Sequence, residues 1–246
     1  MTRLLQAARY LTIVPLPREQ VPDSGSPGAA AAWFPVIGLA IGILLLGTTR
    51  LTSQIFPPLL SALLTVTVWK LVTGGLHLDG LADCLDGLVG RDVEQRLSIM
   101  SDSRIGAFGA IGLILFLMLE IAAVAELPPG PRWRALLVAP VVGRAIPALV
   151  ALLFSTAKPA GHGASFRAGL RREAVPIGLG IAVLAAGFWL GVGGIVAVAV
   201  ACLVTVGLAA LLARRLGGVT GDVLGTGVEV GELSVLLTVS AWTHVR

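Results

Sequence analysis

Residues 175–213 read VPIGLGIAVLAAGFWLGVGGIVAVAVACLVTVGLAALLA, and no side chain in that stretch carries a charge. A helix needs roughly 20 apolar residues to cross the hydrocarbon core of a bilayer, so the stretch holds two crossings, at 175–193 and 195–213. Working outward, runs of the same character occupy 32–48, 57–71, 108–125 and 135–154; the second is short, and a weaker run covers 233–242. The expected fold is all-α: a polytopic transmembrane helical bundle of six to seven spans with cytoplasmic motif-bearing loops. Pro35, Pro147 and Pro176 fall inside or at the mouths of these runs and predict kinks or helix starts. Gly38 with Gly42, and Gly187 with Gly191, have the small-xxx-small spacing that lets helices pack closely.

Composition agrees. Hydrophobic residues make up 56% of the chain and charged residues 13%, against about one quarter charged in soluble domains, and the mean hydropathy is +0.91. Too little polar chain remains for a separate soluble domain, so residues 1–246 read as a single integral membrane domain. The net charge of +4 records membrane orientation rather than nucleic-acid binding. Arg3, Arg9 and Arg18 precede the first span, Lys70, Arg91, Arg96 and Arg104 surround the second connection, and Lys158, Arg167, Arg171 and Arg172 fill the fourth. Arg214 and Arg215 follow the sixth run, whereas only Arg50, Arg132 and Arg134 lie in the alternate connections. The N-terminus and three polar connections therefore share the cytoplasmic side. Residues 1–17 lack a secretory h-region and read as a retained, interfacial helix. The segment Asp23 to Gly28 reads as an exposed turn. Cys84 and Cys202 sit in unlike surroundings and are expected unbridged. Trp33, Trp69, Trp133 and Trp242, near predicted span ends, read as interfacial anchors. No internal repeat is apparent.

The chemistry concentrates in the connections. TGGLHLDGLADCLDGL (73–88) places Asp79, Asp83 and Asp86 at i, i+4 and i+7, stacked on one helix face. Like charges so arranged call for a cation, and hard oxygen ligands suit Mg²⁺ holding a phosphate. Downstream, Asp102 and Arg104 stand in SDSRIG; the guanidinium suits either a phosphate or Asp102. For His77 three roles stay open: general base, phosphate donor and interfacial cap. The segment GGVTGDVLGTGVEVGEL (217–233) adds Asp222, Glu229 and Glu232 among glycines in what reads as a third polar loop, and two carboxylate groups can share metal between them. Lys158, His162 and Arg167 in the second long loop suit an anionic substrate, and positive-inside topology explains those cations equally well. Glu120 and Arg144, inside spans, are costly against lipid and are expected to face the interior and pair.

Taken in order, GGLHLDGLADCLDGL, IMSDSRIGAFG and GGVTGDVLGTGVEVGEL, with TIVPLP near the start, resemble the cobalamin synthase family over nearly the whole chain. Cys84 and Leu85 depart from what that pattern favours, without touching a carboxylate. The resemblance implies transfer of the adenosylcobinamide phosphate group from adenosylcobinamide-GDP to α-ribazole or its 5′-phosphate, releasing GMP, with Mg²⁺ as cofactor. It implies metal ligands Asp79, Asp83, Asp86, Asp222, Glu229 and Glu232, catalytic roles for His77, Asp83 and Arg104, and substrate contacts from Asp102, Arg104, Lys158, His162 and Arg167. It places the protein in a bacterial or archaeal inner membrane, with the active site on the cytoplasmic face and room for homo-oligomers. A CDP-alcohol phosphotransferase is the nearest competing enzyme, since Asp79–Gly80–Leu81–Ala82–Asp83 begins like its motif, but the Ala-Arg pair and later paired aspartates are absent. A prenyltransferase lacks its second aspartate-rich run here, and a cation-coupled transporter lacks the repeats and keeps few acids within spans.

Overall fold

The computed structural model describes residues 2–16 and 26–245. Arg18 and the Asp23 to Gly25 part of the expected turn lie outside them. Helix α1 (Thr2–Leu11) leads through the 3₁₀ turn Pro27–Trp33 into α2 (Phe34–Thr52) and α3 (Pro58–Val72). Then come α4 (Leu76–Gly87), α5 (Val93–Ile99), α6 (Ala107–Glu126), α7 (Pro129–Leu153), α8 (His162–Gly169), α9 (Ala174–Leu216) and α10 (Gly221–His244). Among the described residues five helical stretches are long and apolar enough to cross a membrane, and α3 supplies one more together with α4, which bends from it by 90°. Helix α9 is itself two helices, because Gly191 has φ 62° and ψ −143° in its middle. A methyl group on Gly194 would sit 2.2 Å from the carbonyl oxygen of Ala186, a residue that an unbroken helix would place about 12 Å away. The chain therefore folds back at Gly191, and the two predicted crossings form a helical hairpin.

Helix α7 is the centre of the bundle, buried on nearly every side from Ala135 to Ala151. Lipid tails give helices no hydrophobic reason to associate, so small residues that bring backbones together carry the packing. Gly38 and Gly42 do this: a methyl on either would lie 2.3 Å from the Pro140 carbonyl oxygen or 2.8 Å from that of Leu137. The Gly187–Gly191 pair behaves differently from expectation, since Gly191 meets nothing within 4 Å and serves the backbone reversal. Gly28 belongs to no exposed turn; it is buried against the backbone of Phe166 and Leu170. Trp69 is fully buried and not an interfacial anchor. Both cysteines are free, as expected.

Two features position the site. Gly74 and Gly75, both left-handed at φ 64° and 68°, turn the chain between α3 and α4. With α3 along the bundle, the 90° bend lays α4 across its end. At 12 residues, about 18 Å, α4 is too short to cross a membrane. The segment 217–233 differs from the expected loop: α10 starts at Gly221, capped by the Thr220 hydroxyl, which accepts from the Val223 N–H at 3.3 Å. Its glycines are contact points, Gly221 with His162, Gly225 with His77, and Gly227 and Gly231 with Ile146. Glycine marks turns in soluble chains and close helix contacts in membranes, and here the second meaning wins.

Gly191→Ala is expected to lower stability by about 1–3 kcal/mol through backbone strain alone, since the site has open space and only glycine tolerates that region of φ and ψ. Thermal unfolding in detergent measures this; an unchanged midpoint would remove the hairpin.

Candidate active site

Helices α4 and α10 touch backbone to backbone. A methyl on Gly80 would lie 2.9 Å from the Asp222 carbonyl oxygen, and the Thr226 hydroxyl donates to the Gly80 carbonyl at 3.1 Å. This crossing brings Asp222, in the first turn of α10, beside Asp79 and Asp83. Three cavities meet there. One of about 180 Å³ is lined by Asp79, Asp222, His77 and His162 together with aromatic and aliphatic side chains. A second, about 170 Å³, is lined by Lys158, His162 and Asp222. The third is an open groove of about 680 Å³ lined by Asp79, Asp83, Asp102, Ser103 and Arg104. Burial, and then the charges of Asp79, Asp222 and Asp86, push the Asp83 carboxyl up to about 7. Among the described residues none of Asp79, Asp83 and Asp222 forms an ion pair. Unneutralised, mutually repelling carboxylates suit a divalent cation.

Asp86, on the same helix, is hydrogen-bonded to the start of α6. Its two carboxylate oxygens accept from the backbone N–H groups of Gly106 at 2.7 Å and Gly109 at 2.8 Å, which docks the start of α6 on α4. A methyl on either glycine would collide with that carboxylate, at 2.4 and 2.3 Å. A negative charge at a helix N-terminus is also favourable.

Glu229 and Glu232 stand apart from the aspartates. They follow Asp222 by two and three turns of the same helix, about 10 and 15 Å along its axis, and are 1% and 0% exposed. There they meet Lys70, whose ammonium donates to Glu229 at 2.6 Å and Glu120 at 2.9 Å and lies 3.7 Å from Glu232. Arg144 pairs with Glu232, not with Glu120 as expected. Oxygens of Glu120, Glu229 and Glu232 lie within 4.8 Å of one another, a grouping tight enough for a metal, but the ammonium of Lys70 already sits against it. Lys70, counted in the sequence as a loop charge, is the residue that reading missed; its place at the end of an apolar run, next to Trp69, was the available signal. Its ammonium also lies 4.7 Å from the Trp69 ring centroid.

The remaining predicted residues divide. His77 is buried under α10; burial, then the nearby charges of Arg144 and Lys70, hold its imidazole well below the ordinary range, so it is neutral at physiological pH. Arg104 is exposed and forks onto Asp102 at 2.7 Å, and its hydrogen bonds hold the Asp102 carboxyl down to about 2. Lys158 donates to Ser101 at 3.0 Å, so two connections meet. The bridge between Thr156 and Val219, and the 3.0 Å bond from Arg96 to the Arg215 carbonyl, tie in the α9–α10 turn. All three polar connections thus lie at one end of the bundle. Arg167 is engaged elsewhere, donating to the carbonyls of Ala151 and Phe154 at the end of α7, and it lines none of the three cavities.

The family described as Cobalamin-5-phosphate synthase matches residues 3–240. The chain belongs to that family. Proteins named Adenosylcobinamide-GDP ribazoletransferase are similar to this family member along nearly their whole lengths. That of Brevibacillus brevis is 37% identical over 249 residues, covering 98% of this chain and 99% of its own. Those of Geotalea daltonii and Pseudomonas paraeruginosa are each 36% identical, covering 96% of this chain and 95% and 97% of theirs. No solved structure matches. The carboxylate crossing described above lies within the stretch that the family matches.

In this family member, Lys70→Met leaves buried carboxylates without their cation and is expected to cost about 3–5 kcal/mol. Thermal unfolding of the detergent-solubilised protein measures the loss, and adding Glu229→Gln should restore part of it; a neutral single variant would show the cluster to be dispensable.

Proposed function

We propose that this protein carries out the last joining step of cobalamin nucleotide-loop assembly, transferring the adenosylcobinamide phosphate group of adenosylcobinamide-GDP to α-ribazole or its 5′-phosphate. A ribose hydroxyl oxygen that is free in both ribazole and its 5′-phosphate attacks the phosphorus that bears the corrinoid. A P–O bond forms to that oxygen as the bridging P–O bond of the pyrophosphate breaks, and GMP leaves with the bonding electrons. The hydroxyl proton passes to a carboxylate of the Asp79, Asp83 and Asp222 set. The observation that carries the reading is the meeting of those aspartates, from two separated motifs, at the junction of three cavities.

Asp79, Asp83 and Asp222 would hold Mg²⁺, as the donor chemistry of three unpaired carboxylates supports. Bound there, the ion supplies neutralisation of charge on the transferring and leaving oxygens. Arg104, exposed in the open groove, is free to leave Asp102 for a pyrophosphate oxygen, an exchange a planar fork makes readily. Lys158 and His162 offer positive and hydrogen-bonding groups on the other side of Asp222. The concentration of Arg and Lys at the site's end of the bundle supports a cytoplasmic-face location in the inner membrane.

Purified protein given adenosylcobinamide-GDP, α-ribazole and Mg²⁺ is expected to release GMP. Asp83→Asn should lose at least a hundredfold in turnover while eluting and melting like the parent, and full activity in that variant would take Asp83 out of the metal site. Release of CMP from a CDP-alcohol in place of GMP would instead favour the phosphotransferase reading.

Proton linkage gives a second check. A carboxyl raised to about 7 is largely protonated below that pH and must lose its proton to ligate a cation. Mg²⁺ affinity should therefore fall as pH drops from 8 to 6, measured by calorimetry, and Asp83→Asn should flatten the profile. A pH-independent affinity in the parent would contradict the ligand set.

A further inference from the structure

We infer that the cavity of about 180 Å³ behind Asp79 and Asp222 is the seat of the acceptor's base, a flat heteroaromatic ring system with a single hydrogen-bond acceptor. The inference rests on the transferase reading above and specifies where its second substrate binds. Tyr10 from α1, Phe34 from α2 and Phe166 from α8 form one aromatic wall, with ring centroids 5.8 Å apart from Tyr10 to Phe34 and from Phe34 to Phe166. Pro147, Leu224 and Val228 line the cavity from α7 and α10. Its volume lies below the roughly 300 Å³ at which pockets admit drug-sized ligands. It accommodates a ring system, neither a whole nucleotide nor a corrinoid.

Polarity separates the candidate rings. The guanine edge of the donor carries several donors and acceptors, each needing a partner once buried. The benzimidazole of ribazole, with one nitrogen bonded to the sugar, keeps only one ring nitrogen as acceptor. The cavity answers with a matching inventory. His77, 4% exposed, lines it, and its buried Nδ1 has no hydrogen-bond partner. A neutral imidazole has one N–H to donate, and which nitrogen bears it follows from what the ring meets. The remaining polar side chains, Tyr10, Asp79, His162 and Asp222, come with the carboxylate edge of the cavity or with the hydroxyl of the aromatic wall.

Placement completes the argument. Asp79 lines both this cavity and the open groove of about 680 Å³ that carries Arg104. A sugar leaving the aromatic wall meets the carboxylates from one side, and a pyrophosphate in the groove meets them from the other. That is the arrangement an in-line displacement at phosphorus requires. It also gives α1 a part in substrate binding.

The test is steady-state kinetics on the full-length protein with free benzimidazole as the probe. Benzimidazole is expected to inhibit GMP formation in competition with α-ribazole and not with adenosylcobinamide-GDP. Phe166→Leu should raise KM for α-ribazole roughly tenfold, the scale of one stacked ring, with KM for the corrinoid nucleotide within about twofold. Should that variant fail to fold, the inhibition pattern of the parent decides alone. Competition with the corrinoid nucleotide, or no inhibition up to the solubility limit, overturns the assignment while the transferase reading stands. A parent protein that forms no GMP from the two substrates overturns the reading itself, and the assignment with it.

Discussion

The contact of α4 with α10 at Gly80 is the constraint on which the site depends. Asp79, Asp83 and Asp222 repel one another, so their meeting has to be imposed by something stronger than their own preference. Backbone contact imposes it: no side chain separates Gly80 from the Asp222 backbone, Gly225 clears the way for His77, and Thr226 closes the crossing with a hydrogen bond. Held this way, the carboxylates are preorganised before any ligand arrives, which is how an electrostatic site avoids reorganising during reaction.

Seven acids of this chain do three kinds of work. Asp79, Asp83 and Asp222 face the cavities, Asp86 caps α6, and Glu120, Glu229 and Glu232 surround Lys70 inside the bundle. The last group joins α3, α6 and α10, the helices on which α4 and Asp222 are mounted. A charge cluster there locks the helix arrangement because each partner, once buried, is costly to leave alone. The site's geometry is therefore supported from below by ion pairs and from the side by glycine contacts.

Much of this was legible in the sequence. The uncharged stretch at 175–213 and its companions fixed the class of fold, and the spacing of Asp79, Asp83 and Asp86 marked α4. The misreadings have physical causes. Glycines at 217, 218 and 221 look like a loop, and only their neighbours reveal that the last of them starts a helix packed on His162. Lys70 resembles an orientation charge because its three glutamate partners lie far away in the sequence, and its place at the end of an apolar run was the one local sign. Tyr10, Phe34 and Phe166 lie too far apart along the chain for any motif to join them, although ring contacts in space do.

The central claim is that side chains from α4 and α10 hold one and the same cation. A double-mutant cycle on Mn²⁺ affinity, followed by electron paramagnetic resonance in the parent, Asp83→Asn, Asp222→Asn and the double variant, tests it most directly. Shared ligation predicts that each single change removes most of the binding and that the double change adds little more. Losses that simply sum, or a variant that binds as the parent does, would mean that the two carboxylates serve separate sites.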